Sequence, residues 1–183
     1  VAYVALCELD RVEITCFRDG LAERLHPCRG KGSILSIFEF LHSVKAEGTT
    51  GLLHSCKGYR LTHHQPGLVV LVSDFLDPAG YVDSLKPFLS RQYDLCLIQI
   101  LAREEVEPGL AGDLRLIDCE TGSAYEVSVT PSILRRYRQT VDRYCQDLNQ
   151  YCLSHGIAHI RTLSDEPVES LILDSLRRKA ILG

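Results

Sequence analysis

Residues 67–77 constrain the fold more than any other part of this sequence. They read Gly-Leu-Val-Val-Leu-Val-Ser-Asp-Phe-Leu-Asp, so a nearly unbroken apolar run leads directly into Ser73 and Asp74. A strand without polar alternation is buried on both faces, which is typical of a parallel sheet covered by helices. Open α/β sheets bind their ligands at the carboxyl ends of such strands. The segment therefore predicts an α/β fold and makes Asp74 a candidate functional residue.

The rest of the chain alternates between strand and helix patterns. Further strands are predicted at residues 11–17, 21–26, 94–101, 114–118, 125–129 and 157–163. Helices are predicted at residues 1–8, 33–44, 52–61, 78–89, 131–155 and 167–178, with Ser33, Asp77 and Thr130 as N-caps. This order predicts a three-layer, Rossmann-like fold. Its mostly parallel sheet carries helices on both faces, and an antiparallel hairpin turns at Asp19-Gly20 near the N-terminus.

Length and composition restrict the class of protein. The 183 residues are 45% hydrophobic and 24% charged, as expected for a single globular domain spanning residues 1–183. The net charge of -4 argues against nucleic-acid binding. No apolar run approaches the roughly 18 residues that span a bilayer, so we expect no membrane contact from this chain.

The cysteines indicate the cellular compartment. The chain has 8 cysteines and no Cys-x-x-Cys pair, which argues against a zinc site or a disulfide scaffold. Cys16, Cys96, Cys145 and Cys152 fall within apolar patterns, where a reduced cysteine behaves as a small hydrophobic residue. We therefore expect reduced core thiols and a cytoplasmic protein.

The chain contains no methionine and opens inside a helical pattern. These features indicate a fragment of a longer protein, and upstream segments could anchor that parent in a membrane.

Two short segments carry oxygen ligands. Asp74 ends its strand, and Thr49 and Thr50 precede the helix that begins near Leu52. Hydroxyl and carboxylate oxygens suit Mg²⁺ or a similar cation. Two structural interpretations compete with this one: the threonines as helix N-caps, and Asp74 as a sheet-edge residue that accepts hydrogen bonds from neighbouring amides.

The combination of these motifs resembles a known family. The hairpin, the Gly-Thr-Thr-Gly-Leu turn (residues 48–52) and the Leu-Val-Ser-Asp-Phe-Leu-Asp segment (71–77) look like a von Willebrand factor A-like domain. The hairpin around Asp118-Cys-Glu-Thr-Gly122 and the long helix after it are similar, more narrowly, to the bacterial domain of unknown function 58. The resemblance covers essentially the whole chain.

The resemblance implies a metal-ion-dependent adhesion site built from three loops. Thr50 corresponds to the threonine of the second loop and Asp74 to the aspartate of the third. The first motif, Asp-x-Ser-x-Ser, is absent, Ala102 stands where the family tends to carry an aspartate, and Glu105 matches a family glutamate. The first strand, central in the family's sheet, is also missing, which would leave strand edges unpaired. We therefore expect an incomplete site that holds Mg²⁺ weakly in this chain.

The resemblance also implies a function without catalysis. We expect a protein–protein interaction module that binds a partner presenting an acidic residue, working with a MoxR-type AAA+ ATPase in assembling or maturing complexes. One alternative is a metal-assisted phosphohydrolase with Asp74 as nucleophile or ligand. Another is a structural domain that self-associates through the hairpin at residues 114–129. We predict that His63-His64 and the arginines 135, 136, 138 and 143 lie on the solvated surface.

Overall fold

We describe the protein from a computed structural model, which describes residues 1–46, 48–89, 93–118 and 122–170. The α/β class is confirmed, with a parallel sheet, helices and antiparallel hairpins. The chain folds into two compact units. The first comprises Val1–His64 and Asp77–Pro87, and the second comprises Gln65–Leu76 and the described residues from Phe88 onward. That the two form a single domain stays a prediction.

The first unit is built on the predicted hairpin. Its strands β1 (Val12–Arg18) and β2 (Gly20–Cys28) pair antiparallel. Arg18 pairs with Gly20, which leaves Asp19 alone at the tip. This tight turn needs the positive φ of 119° at Gly20, a conformation that glycine adopts readily.

Four α-helices complete the first unit. They are α1 (Ala2–Cys7), α2 (Ile34–Ser43), α3 (Leu52–Thr62) and α4 (Val82–Leu85), with a 3-10 turn at Lys31–Ser33. Helix α3 packs against β2 and α4. The buried side chains at the centre of the unit are Leu6, Ile37, Leu52, Cys56 and Leu85.

Of two helix starts predicted in this unit, α2 begins directly after Ser33 as predicted but without the side-chain cap, and the start at Pro78 is wrong. Ser33 makes no capping hydrogen bond, because the 3-10 turn before α2 already gives it helical backbone angles, and its hydroxyl donates to the Arg29 carbonyl at 2.9 Å. The helix predicted at residues 78–89 begins only at Val82. A turn precedes it, closed by the Gly80 amide on the Asp77 carbonyl at 2.8 Å, and Gly80 has a φ of 76° that an α-helix excludes.

The second unit is built on a parallel sheet. Strands β3 (Gly67–Ser73), β4 (Tyr93–Leu101) and β7 (Ala158–Leu163) are arranged in the order β3-β4-β7. Between β4 and β7 the chain forms a short helix α5 (Arg103–Val106), a hairpin of β5 (Gly112–Ile117) and β6 (Ala124–Val129), and the long helix α6 (Pro131–Ser154). A last helix, α7, is described over Val168–Ser170, and the rest of the helix predicted at 167–178 lies outside the described residues.

Burial distinguishes the two apolar strands. Strand β4 is central, and most of its side chains from Leu95 to Leu101 are buried. Strand β3 was predicted to be buried on both faces, but Leu68 and Val72 are 49% and 47% exposed. The physical reason is position: β3 pairs with β4 on one side only, and no other strand of the described residues pairs with its outer edge.

Helix α6 begins as predicted, with the Thr130 hydroxyl accepting from the Ile133 amide at 3.3 Å. Its predicted apolar stripe is buried only in the C-terminal half, at Cys145, Leu148 and Cys152. In the N-terminal half, Ile133 and Tyr137 remain well exposed. A helix of 24 residues is about 36 Å long, whereas the 6-residue β7 spans about 20 Å, so the sheet covers only part of the helix.

Three of the four cysteines predicted to lie in the core are buried, and the fourth, Cys16, is half-buried. Cys56, Cys96, Cys145 and Cys152 are buried, and Cys7, Cys16 and Cys28 are half-buried. Burial raises the pKa of Cys56 to about 12, which keeps this thiol protonated and unreactive at neutral pH. Within the described ranges, no helix is both long enough and apolar enough to cross a membrane.

Candidate functional site

The loop that follows β3 presents Asp74 at the carboxyl end of the sheet. Asp74 is exposed, and its Oδ1 accepts from the Leu76 amide at 3.0 Å and from the Ser73 hydroxyl at 3.3 Å. The Ser73 hydroxyl in turn accepts from the Phe75 amide at 3.1 Å. No donor in the described part of the chain reaches Oδ2 of Asp74, so the turn uses one carboxylate oxygen and leaves the other to solvent.

Phe75 holds this loop in a strained conformation. Its φ is 60°, in the left-handed region that aromatic residues rarely adopt, yet its ring is completely buried. Such a conformation costs on the order of 1–3 kcal/mol and persists only where the surroundings enforce it. Burial of the ring, together with the hydrogen bonds of the loop, supplies that enforcement.

Two side chains, the buried Gln99 and the half-buried Tyr144, hold the backbone of the loop. Nε2 of Gln99, on the central strand β4, donates to the Asp74 carbonyl at 3.0 Å, and the Tyr144 hydroxyl of α6 donates to the Phe75 carbonyl. Gln99 is fully buried, and its Oε1 has no hydrogen-bond partner among the described residues. The backbone of the loop is therefore anchored to both β4 and α6, while the carboxylate of Asp74 faces outward.

The alternative interpretation of Thr49 and Thr50 as N-caps of the following helix is wrong. Neither threonine caps α3; its N-cap is Gly51, and the Leu52 amide donates to Oδ2 of Asp77 at 2.9 Å. Oδ1 of Asp77 accepts from the Ala79 amide at 2.7 Å. Asp77 was predicted to cap a helix starting at Pro78, but it caps α3, which lies 25 residues earlier in the chain.

Gly51 is required at this turn by close packing. Its amide donates to the Arg18 carbonyl at 2.7 Å, and a Cβ atom there would lie 2.7 Å from Oδ1 of Asp19. The Gly-Thr-Thr-Gly segment therefore fits closely against the tip of the β1–β2 hairpin, and Thr50 is exposed beside this contact.

The two predicted metal ligands belong to different units: Thr50 lies in the first and Asp74 in the second. Their meeting at one site stays a prediction. The described residues contain no group of three or more His, Cys, Asp or Glu side chains placed to hold a metal ion. Asp77, the carboxylate nearest to Asp74 in sequence, already accepts a backbone amide on each oxygen. Mg²⁺ requires about six oxygen ligands, so these residues do not fit a tight magnesium site.

Glu105, matched to a family glutamate, has a structural role. Its Oε2 accepts from the Ala102 amide at 2.7 Å at the start of α5, and its carbonyl accepts from the Tyr137 hydroxyl at 2.8 Å. Partial burial and the nearby Glu105 charge raise the pKa of Tyr137. The bond from Tyr137 joins α5 to α6, and one carboxylate oxygen of Glu105 is engaged at the start of α5.

One polar cluster was missed by sequence reasoning. His63 was predicted on the surface, but its side chain is only 14% exposed; it stacks on Tyr59 at 3.9 Å and donates from Nε2 to Glu13 at 2.7 Å. Arg24 donates to the same carboxylate at 2.7 Å. Burial alone raises the pKa of Glu13, but the hydrogen bonds and positive charges of Arg24 and His63 outweigh it and lower this pKa below its ordinary value. The cluster ties the end of α3 to β1 and β2.

Comparisons with known proteins agree with this architecture. A family described as "Protein of unknown function DUF58" matches residues 1–146. The chain is 31% identical over 126 residues to the uncharacterized protein Mb1516 of Mycobacterium bovis and, to the same degree, to the uncharacterized protein Rv1480 of Mycobacterium tuberculosis. These alignments cover 68% of this chain and 39% of each relative, so the chain spans about two fifths of their length.

Two solved structures share the fold. The conserved hypothetical protein BatB from Bacteroides thetaiotaomicron superposes with a TM-score of 0.52 at 10% identity, covering 98% of this chain and 84% of that one. An aerotolerance-related membrane protein from Bacteroides fragilis gives a TM-score of 0.51 at 11% identity, covering 92% and 80%. At these identities the likeness concerns the fold alone.

Proposed function

The chain belongs to the DUF58 family of proteins of unknown function, and on that premise we propose that it is a protein-interaction module. Its contact surface includes the carboxyl end of β3, and Asp74 is the residue that touches the partner. The observation that carries this proposal is an exposed carboxylate held by a strained and internally anchored loop.

Rigidity supports a recognition role for Asp74. Binding is weakened when a loop must be ordered on contact, so a loop already fixed by Gln99 and Tyr144 loses little conformational freedom. The carboxylate keeps one oxygen for an incoming donor. A charge-assisted hydrogen bond of this kind contributes roughly 1.5–3 kcal/mol.

We also propose that the module has no catalytic activity of its own. The Ser73 hydroxyl is engaged within the turn, donating to Asp74 and accepting from Phe75, so it is poorly placed to act as a nucleophile. The phosphohydrolase alternative needs a second available carboxylate, and Asp77 accepts an amide on each oxygen. A phosphatase screen with Mg²⁺ on the intact protein tests this: we expect no turnover that depends on Asp74.

The candidate partner is a MoxR-type AAA+ ATPase, which rests on the family resemblance alone. We derive no metal-bridged step for this chain, because its described donors do not fit Mg²⁺. A partner acid that completes a metal site requires further ligands that the described residues do not supply. Binding measured with Mg²⁺ and again with EDTA distinguishes a metal bridge from direct contact with Asp74.

A cytoplasmic location is part of the proposal, supported by the free thiols of Cys16, Cys56 and Cys145.

The test uses the full-length protein and a purified MoxR-type ATPase. Asp74→Asn keeps an oxygen for the Leu76 amide, so the turn is retained while the charge is removed. We expect the affinity for the partner to fall about ten- to a hundredfold with an unchanged melting temperature. Asp147→Asn, at an exposed position of α6, is the matched control and should bind like the wild type. Equal affinity of the Asp74→Asn variant would contradict the role of Asp74.

A further inference from the structure

The β5–β6 hairpin has the features of an unfinished sheet. It forms a separate two-stranded sheet, and no other strand in the described part of the chain pairs with either outer edge. Nearly all of its side chains are exposed, including Leu116, Ile117 and Tyr125. Two strands alone are marginally stable in water, and three or more with an apolar face are normally needed.

One face of the hairpin is apolar. The register pairs Leu114 with Val127 and Leu116 with Tyr125, and residues directly opposite each other share a face. The opposite face carries the pairs Asp113–Ser128, Arg115–Glu126 and, next to the turn, Ile117–Ala124. Leu116 and Tyr125 on this face are 41% and 63% exposed, whereas Leu114 and Val127 are half-buried, so the face is only partly covered in the described structure.

The outer edge of β5 carries an ordered set of backbone groups. The Asp118 amide donates to the Ser123 carbonyl at 2.8 Å, which marks a pair that is hydrogen-bonded across the hairpin. Antiparallel strands alternate, so the N–H and C=O groups of Leu116 and Leu114 also point towards β6. Those of Asp113, Arg115 and Ile117 then point outward, where a further strand can bind them.

We propose that this edge pairs with β5 of a second copy of the chain, antiparallel and centred on Leu114. Outward-pointing groups must face each other in such a pair, and this register satisfies that condition. It sets Asp113 opposite Arg115 of the second copy and, by symmetry, Arg115 opposite Asp113. Centring on Arg115 would instead set two arginines opposite each other, and centring on Leu116 would set Leu114 opposite Asp118.

The pairing satisfies the outward-pointing backbone groups of β5 in both copies. Two hairpins become one four-stranded sheet, and the apolar faces of both copies lie on the same side of it. The central Leu114 side chains meet across the symmetry axis, at a non-hydrogen-bonded pair where side chains are closest. Charge complementarity favours a second copy as the occupant. In this register β5 presents to itself both the acidic residue and the basic residue that face each other, Asp113 and Arg115.

Charge reversal tests the register in the full-length protein by analytical ultracentrifugation. We expect a wild-type dimer, and a dissociation constant raised about tenfold or more by Asp113→Arg or by Arg115→Asp, since each sets like charges opposite each other. The double variant D113R/R115D restores the complementary pairs and should restore the dimer. Asp147→Arg on α6 is the control for a change of net charge.

Cross-linking tests the same register without changing charge. Cα atoms of a non-hydrogen-bonded pair lie about 4.5 Å apart, within the range of a disulfide, so Leu114→Cys should link two chains through residue 114 under mild oxidation. Leu116→Cys should not link to itself, because its counterpart lies four residues away along the paired strands. Mass spectrometry of the linked peptides distinguishes these bonds from those of the native cysteines.

A wild type that stays monomeric at about 100 µM, far above the dissociation constant of a stable dimer, would overturn the proposal. Single charge reversals that leave the dimer intact would also overturn it, as would a disulfide between two residues 116 in place of one between two residues 114. A monomer whose hairpin binds a strand of another protein would overturn it as well. Asp74→Asn should leave the dimer unchanged, so failure here is distinguishable from failure of the proposed partner binding.

Discussion

At the scale of single residues, the loop after β3 shows how a conformation unfavourable by itself is enforced by its surroundings. Phe75 adopts a φ of 60° with a fully buried ring. Gln99 donates to the carbonyl of Asp74, the residue before Phe75, and Tyr144 donates to the carbonyl of Phe75 itself. The carboxylate of Asp74 is consequently fixed relative to β4 and α6.

Removing the Tyr144 hydroxyl should loosen this anchor. Tyr144→Phe leaves the Phe75 carbonyl without its donor, and we expect a loss of about 0.5–1.5 kcal/mol in the free energy of unfolding. Urea denaturation measures the change. Tyr3→Phe, at an exposed position of α1, should alter stability by less than about 0.5 kcal/mol. An equal effect of the two substitutions would mean that the Tyr144 hydroxyl does not stabilise the loop.

At the scale of secondary-structure elements, sequence reasoning worked where the signal is local. The turn at Asp19-Gly20, the Thr130 cap of α6 and the apolar run of β4 each depend on residues close together in the chain. It failed where partners are distant. Asp77 caps a helix that precedes it by 25 residues, and His63 binds Glu13 across 50 residues of sequence.

The candidate site divides in the same way. The position of Asp74 at the end of β3 could be predicted, because a run of β-branched residues ends there. The conformation of Phe75 could not, since the donors that fix its carbonyl and that of Asp74 come from β4 and α6. The exposure of β3 was also missed, because an apolar sequence does not reveal whether a strand is central or at an edge.

The Glu13 cluster gives the first unit a predictable pH dependence. The pKa of Glu13 is lower in the folded protein than its ordinary value, so its stabilisation is present above the unfolded pKa and is lost as the pH falls through the folded pKa. Glu13→Gln should destabilise the protein by about 1–3 kcal/mol at pH 7, because the Arg24 and His63 donors lose a charged acceptor.

Denaturant unfolding at pH 7 and below pH 4 measures this prediction. The difference between wild type and Glu13→Gln should shrink as the pH falls through the lowered folded-state pKa of Glu13, because the carboxylate then becomes protonated in the folded protein as well. Glu23→Gln removes an exposed ion pair with Arg18 and should have an effect of less than about 1 kcal/mol at either pH. A constant difference for Glu13→Gln across this range would show that its charge contributes nothing.

At the scale of the whole molecule, the three sheets share one property: each has edges that no described strand covers. Strand β3 is an apolar example, 7 residues long and paired on one side only. Long apolar edges favour pairing with another strand. The first strand expected from the family resemblance would fill this position.

Hydrogen exchange tests the state of this edge. In the chain of 183 residues, the β3 amides that point away from β4 should exchange at least about tenfold faster than those of the central β4. A further strand bound at this edge should protect the same amides. Protection of the β3 edge equal to that of β4 in this chain would show that another segment already covers it.

Helix α6 links the two surfaces proposed for this protein. It starts directly after β6, and about 20 Å further along its axis Tyr144 donates a hydrogen bond to the loop that displays Asp74. A continuous helix between the β5 edge and the Asp74 loop is a route by which a shift at one proposed surface can reach the other. Any influence of dimer formation on partner capture through this helix must therefore be matched by an equal thermodynamic effect in the reverse direction.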